Sequence, residues 1–407
     1  MSSMETIVPP PTAAPFVKRK LSYLEYFHAC SGQAKNSLER PRENALILEG
    51  EGMIDPAALA AAVDRAVAVN PAVALKLVGK RSRACWVPEG SNPAIRVVKE
   101  STWTGRSQAG SEFIHATKLS QEDGVTCEFI LVEGTKNFVV FRSLHAIMDG
   151  IGTMHFLADV FNALNHRPLT GTNTTIGDTE LMRSVNSSRH KVDMSKKIAR
   201  ATGKSRGDEK GDSWQRFSLA GPQLFLLPRI AIAIAEFARN HSGERILISV
   251  PVNMRRHRPA MHSTLNYTCI AYVDVEPTDD ASKFQKKLHK QLQKNSEAFY
   301  MRAFEYVRYL PFSWLDKILH RTEKNYRNSA ILETAMVSDM GLFDPGRFSG
   351  AGFTATELFG VPIPGLTYCL ITTMGKAINI TLGMPAIYAN NGRMEQLVGH
   401  IKNKLTT

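Results

Sequence analysis

At 407 residues the chain is long enough for two lobes, each with its own core. A composition of 43% hydrophobic and 22% charged residues excludes wholesale disorder. The excess of 50 Lys+Arg over 38 Asp+Glu, a formal charge of +12, favours an anionic partner. Nucleic acid, membrane headgroups, phosphorylated cofactors and acidic carrier proteins all satisfy it.

Residues Met1 to Pro15 are rich in Ser, Pro and Thr, lack a basic-then-apolar signal pattern and read as a mobile arm. Pro56 to Val69 reads as a helix, with Asp55 as N-cap and Pro56 at its first position. Asn70-Pro71 ends it, and Ala72 to Val78 reads as the strand that follows. Thr126 to Val132 and Asn137 to Leu144 read as two strands joined by a hairpin-length connection, residues 133–136. A helix pattern runs from Gly152 to Leu164. Residues 171–215 turn polar and basic, through Arg189, Lys196, Lys197, Lys204 and Arg206, and read as a linker or loop.

The second half restarts with an apolar helix, Leu224 to Asn240. Strands are expected at Arg245 to Val252 and Asn266 to Val275, separated by a polar turn from Asn253 to Pro259. Ala281 to Phe299 reads as a basic amphipathic helix, and its Lys283-to-Lys290 cluster as a solvated face. Ala335 to Ser338 reads as the end of a strand, with a turn at Asp339-Met340-Gly341. Strands at Thr367 to Thr373 and Ala377 to Leu382 and a helix from Gly392 to Leu405 close the chain. Sheet and helix signals alternate in both halves, so the expected class is α/β. The expected division is an arm at 1–15, an N-terminal lobe at 16–175, a basic linker at 176–215 and a C-terminal lobe at 216–407.

Five cysteines, Cys30, Cys85, Cys127, Cys269 and Cys369, are widely spaced and form no C-x-x-C pair. They read as reduced thiols of a cytoplasmic protein, not as a disulfide frame or zinc site. His257 and His262 lack acidic or cysteine company, so no metal site is expected. His155 and His166 read as packing or surface residues. The apolar run Leu219 to Ala238 is broken by Pro222, Pro228, Arg229 and Glu236 and makes a poor membrane span. No phosphate loop, dinucleotide fingerprint or nucleic-acid module stands out.

The chemistry is concentrated at His145-Ala146-Ile147-Met148-Asp149-Gly150, between the strand ending at Leu144 and the helix from Gly152. A histidine on that turn can accept a proton from a hydroxyl or an amine near neutral pH. Asp149, four residues on, reads either as a second catalytic carboxylate or as a support for the turn. Gly150 lets the turn be tight.

The run resembles the H-x-x-x-D-G signature of the chloramphenicol acetyltransferase-like superfamily, which includes condensation domains and alcohol acyltransferases. Three other segments are similar in order: Arg19-Lys20-Leu21-Ser22-Tyr23-Leu24-Glu25; the strand Arg245 to Val252 ending in Asn253-Met254-Arg255, followed by Thr264-Leu265-Asn266-Tyr267; and Val337-Ser338-Asp339-Met340-Gly341. The condensation-domain form begins with two histidines, whereas Leu144 stands first here. Leu265 replaces the glycine of the Gly-Asn-aromatic segment, which points away from the peptide-bond-forming branch.

The resemblance implies two lobes of similar fold in a V, with a tunnel between them and His145 mid-tunnel. It implies a standalone acyltransferase of natural-product metabolism. The donor would be a phosphopantetheine thioester, on an acyl or peptidyl carrier protein or as acyl-CoA, and the acceptor a small hydroxyl or amine. No bound cofactor is implied. His145 is the implied base. Asp149 is implied to face away and pair with an arginine, Arg255 first, Arg256 or Arg19 in reserve. Ser338 is a candidate oxyanion donor or a mere turn residue. Gly150, Asn266 and Arg255 are grouped with the substrate passage. A basic mouth formed by Arg189 to Lys210 would steer an acidic donor. The alternative is a non-catalytic relative that keeps the tunnel for binding or scaffolding.

Overall fold

The computed structural model describes residues 18–31, 41–190, 193, 197–299, 302–317 and 333–406. The arm expected at 1–15 and Lys196 lie outside them.

The Arg19-to-Glu25 run forms a strand-to-helix corner, β1 (Arg19–Lys20) and α1 (Tyr23–Ala29). The Ser22 hydroxyl accepts from the Glu25 amide while the Glu25 carboxylate accepts from the Ser22 amide, a reciprocal cap that satisfies two otherwise orphaned donors. Glu25 also pairs with Arg19. After β2 (Glu43–Gly52) comes α2 (Pro56–Val69), whose first turn Asp55 caps by accepting from the Ala58 amide at 2.8 Å. Its stripe Leu59, Ala62, Val63, Ala66 and Val69 is buried. The strand expected at 72–78 shrinks to β3 (Lys76–Val78), because Pro71–Val73 coils into a 3-10 turn. β4 (Cys85–Val87) joins β3 to β1 in a three-stranded ribbon.

β5 (Ala94–Ser101), β6 (Cys127–Gly134) and β7 (Asn137–Leu144) follow, then α3 (Gly150–Leu164). Residues 176–215 are not a linker throughout: they contain α4 (Asp178–Ser184) and the start of β8 (Asp212–Ala220). The basic stretch before β8 is partly tied down, with the Ala199 amide on the Arg245 carbonyl and Arg393 on the Lys204 carbonyl, both at 2.8 Å. Next come α5 (Leu226–Arg239), β9 (Leu247–Asn253), β10 (Thr268–Asp274) and α6 (Ala281–Gln293). The last strands are β11 (Ala335–Phe343), β12 (Phe353–Val361), β13 (Tyr368–Met374) and β14 (Ala377–Pro385), before a closing helix, Arg393–Thr406. Where a turn is expected at residues 339–341, β11 instead continues through a register break between Asp339 and Leu342. Gly341, at φ +89°, supplies the left-handed residue this break needs.

Two larger sheets carry the fold. The first has five strands in the order β12-β2-β7-β6-β5, the second six in the order β10-β9-β11-β13-β14-β8. β7 is buried along almost its whole length, being central in its sheet and covered on both faces. α2 and α3 pack on one side, and Trp103, Phe138, Trp214 and Phe359 form a smaller cluster elsewhere. The second sheet is backed by α5, α6 and the closing helix around Ile230, Ile234, Phe284 and Leu397.

The chain crosses between sheets. β12 leaves the second half to pair antiparallel with β2, and the chain then returns to the second sheet as β13. Arg216 of β8 reaches Glu49 of β2 at 2.7 Å and Glu357 of β12 at 3.3 Å, stacked over Phe359 at 3.9 Å. The boundary expected near residue 216 is thus stepped over by a strand and by an ion cluster.

Candidate functional site

β7 delivers the histidine turn. Just upstream, the buried Arg142 bridges Glu43 of β2 at 2.9 Å and Glu128 of β6 at 2.8 Å, which ties three strands together beside the turn. The His145 amide then donates to the Arg42 carbonyl at 2.8 Å, and the chain turns into α3.

Asp149 caps α3. Its Oδ1 accepts from the Gly152 amide at 2.6 Å. Its Oδ2 accepts from Arg255 Nη1 at 3.0 Å, the Tyr267 amide at 2.7 Å and Thr268 Oγ1 at 3.1 Å. The carboxylate is 1% exposed. Burial alone would raise its pKa, but Arg255 and the amide donors outweigh burial and hold it below its ordinary value. Arg255 spends Nη2 on the Ser263 and Leu265 carbonyls and lies over the Tyr267 ring, its carbon 4.8 Å from the centroid. The two reserve arginines are engaged elsewhere, Arg256 with Glu297 and Arg19 with Glu25.

His145 itself is 7% exposed. Asn266, just before β10, turns its amide nitrogen to His145 Nδ1 and to the His145 carbonyl, both at 3.0 Å. The imidazole also interacts with its own carbonyl. Burial lowers its pKa below the ordinary 6.5, the Arg42 charge acts in the same direction, and Asp149 and the carbonyl only partly oppose them. The balance favours the neutral ring.

A residue without any sequence signal completes the site. His28, from α1, stacks on His145 with ring centroids 4.2 Å apart and planes 4° from parallel. Its Nδ1 is buried without a partner. Burial first, then His145 and Arg42, push its pKa well below 6.5. No motif links positions 28 and 145, and only the packing of α1 brings them together.

Ser338 is buried on β11 and interacts with the Tyr368 hydroxyl; it makes no hydrogen bond to His145. The strand nonetheless abuts the motif, since a Cβ on Gly150 would lie 2.9 Å from the Met340 methyl carbon. A side chain there would displace only the flexible end of Met340. His257 pairs with Glu297 at 3.1 Å, and His155 Nε2 donates to the Gly171 carbonyl at 3.0 Å. Among the described residues no helix is long and apolar enough to cross a membrane.

Comparison with known proteins supplies the frame. Neither a protein-family model nor a curated protein matches the sequence. Solved structures do match. Polyketide synthase associated protein 5 from Mycobacterium tuberculosis is 15% identical, with 95% of this chain and 96% of that chain covered and a TM-score of 0.63. At this identity the likeness shows a shared fold. A variant starter condensation domain of rhizomide synthetase RzmA, in complex with C8-CoA and Leu-SNAC, is 15% identical over 89% of this chain and 88% of that one, at a TM-score of 0.60. F. graminearum TRI101, complexed with ethyl coenzyme A, is 12% identical over 94% and 97%, at 0.59. In this fold the His145 turn touches Arg42, just before β2 of the first sheet, and Asn266, just before β10 of the second.

Proposed function

We propose that the protein is an acyltransferase that moves an acyl group from a phosphopantetheine thioester to a hydroxyl or amine acceptor, with His145 as the general base. The observation that carries this reading is a buried imidazole held on a turn by contacts from Asn266 and His28, close to a carboxylate whose lone pairs are already occupied. The same occupancy supports Asp149 as a strut and not a proton carrier. The complexes of RzmA with C8-CoA and of TRI101 with ethyl coenzyme A support a CoA-type donor, and a carrier-bound arm of the same chemistry is the other source considered.

In the base-competent tautomer, Nδ1 carries its hydrogen toward the main-chain carbonyl, the Asn266 amide nitrogen keeps its bond to that carbonyl and gives up the one to Nδ1, and Nε2 presents a lone pair. The acceptor oxygen or nitrogen attacks the thioester carbonyl carbon as its proton passes to Nε2. The tetrahedral intermediate then expels the thiolate, which takes the proton back from the imidazolium and leaves as the free thiol. A thioester is already activated, so no Ser or Cys nucleophile and no covalent enzyme intermediate is needed. Proximity in one passage supplies much of the rate. Ser338 is the proposed hydrogen-bond donor to the oxyanion, after its hydroxyl leaves Tyr368.

On this reading donor and acceptor meet between the two sheets, arranged as a V, near the seam where His145 from the first half meets Asn266 from the second. The lobes are read as residues 16–175 and 216–407, with β12 lent by the second to the edge of the first sheet. The test is intact-mass detection of product when purified protein is offered acyl-CoA and acyl-carrier donors with alcohol and amine acceptors. Product dependent on both substrates supports the reading. Tight binding of donors without turnover favours the scaffold alternative instead.

A further inference from the structure

Arg42, the residue before β2, carries a charge that the fold leaves unanswered. Its carbonyl accepts from the His145 amide at 2.8 Å, so the two residues are neighbours. Its guanidinium lies over the Phe27 ring, 5.0 Å from the centroid. Phe27 meets the His28 ring edge-on at 5.7 Å, and His28 stacks on His145. The half-buried Arg42 is thus the outer member of a row that ends on the proposed base. Among the described residues no carboxylate pairs with its guanidinium and no group accepts a hydrogen bond from it.

The acids nearby answer other groups or none. Glu43 is held by Arg142 at 2.9 Å and lies 3.3 Å from His115. Glu25 of α1 is held by Arg19. Glu333, two residues before β11, is buried; burial pushes its pKa up to about 7, and Arg42 only partly opposes this. The field of Arg42 therefore reaches a residue that leads into the second sheet as well as the two histidines. An aromatic face attracts a cation but does not neutralise it. A guanidinium with its donors free matches a carboxylate or a phosphate, which it holds through two parallel bonds. The phosphate of a phosphopantetheine arm is separated from its thioester carbon by the whole length of that arm. An anion held this close to the base therefore belongs to a group that reacts there.

We propose that Arg42 binds a carboxylate of the acyl acceptor, so that the acceptor is a hydroxy acid or an amino acid whose hydroxyl or amine is turned to His145. The assignment rests on the acyl-transfer reading and names the acceptor class which that reading leaves open. Anchoring the carboxylate restricts where the nucleophile can lie, which is how a binding contact becomes orientation at the base.

The experiment gives one acyl-CoA donor and two acceptor pairs, leucine with leucinamide and 6-hydroxyhexanoate with 6-hydroxyhexanamide, to the native protein, Arg42→Gln and Arg42→Met. The second variant keeps an unbranched side chain over Phe27. The readout is the ratio of kcat/KM for the acid over its amide. Comparing that ratio between proteins cancels the acceptors' own reactivity and any effect on His145 that both acceptors share. Both variants are expected to lower the ratio about tenfold or more for at least one pair. A ratio that neither variant changes overturns the proposal and leaves acyl transfer intact. With a neutral acceptor, a preference for succinyl-CoA over butyryl-CoA that the variants abolish would put the anion on the donor's acyl chain and overturn the acceptor assignment. If the native protein transfers to no alcohol or amine at all, the functional reading falls. In that case, or if none of the four acceptors is used, calorimetry with the two acids and their amides decides the site. Binding of an acid but not of its amide, lost in both variants, supports it; equal binding, or none, overturns it.

Discussion

Replacing Asp149 by alanine strikes the contact on which the histidine turn depends. Four donors lose their acceptor at once: Gly152 N, Arg255 Nη1, Tyr267 N and Thr268 Oγ1. The guanidinium of Arg255 would remain buried without a counter-charge, and breaking such a pair from one side costs about 3–5 kcal/mol. The lost N-cap, worth about 1 kcal/mol on its own, overlaps with that figure and should not be added to it. Urea denaturation of the Asp149→Ala, Arg255→Met and double variants measures the coupling directly. The double variant should cost less than the two single changes together, with a coupling of about 1–3 kcal/mol. Because Asp149 is held below its ordinary pKa of 3.8, its contribution is complete above that value and fades as the pH falls through the folded pKa. An Asp149→Ala protein within about 0.5 kcal/mol of native stability would refute the strut. If its stability were unchanged while activity fell with a displaced pH profile, Asp149 would be a proton carrier.

Three further outcomes are expected. Asn266→Asp places a carboxylate against His145 Nδ1, which favours the imidazolium, so the acid limb of kcat/KM should move upward from its native position below 6.5; an unmoved limb contradicts the contact. His28→Ala removes the stacked ring and admits water, so kcat should fall and the same limb should rise toward 6.5, whereas His28→Phe should keep both near native; equal behaviour of the two variants contradicts the stacking role. Asp178, buried and beside Glu25, has its pKa pushed up to about 7, so in the fold it costs stability increasingly as pH rises from 3.8 to about 7. Asp178→Asn should therefore raise the melting temperature at about pH 8 more than at about pH 4, and an equal shift at both argues against that burial.

Local signals were legible where chemistry is local. Asp55-Pro56 marks a helix start because a carboxylate and a ring-fixed φ act within one turn. Leu144-to-Gly150 marks a strand end and a cap for the same reason. Arg255 could be named as a partner for Asp149 only through a family resemblance, and the two meet at 3.0 Å. What stayed hidden is long-range. β2 and β12 were not read, and their pairing joins residues near 48 to residues near 358. β12 alternates polar and apolar residues unremarkably, and nothing in its pattern tells it to leave the second half for the first sheet. His28 belongs to the site only because the α1 corner folds over the β7 turn.

The most direct test of the central claim is a single-turnover comparison of the native protein with His145→Ala, using a donor and acceptor pair that the native protein converts. Loss of a positioned base should slow chemistry at least about a hundredfold while the protein stays folded and still binds the donor. Transfer by His145→Ala at a rate near native, with chemistry limiting, would contradict the account.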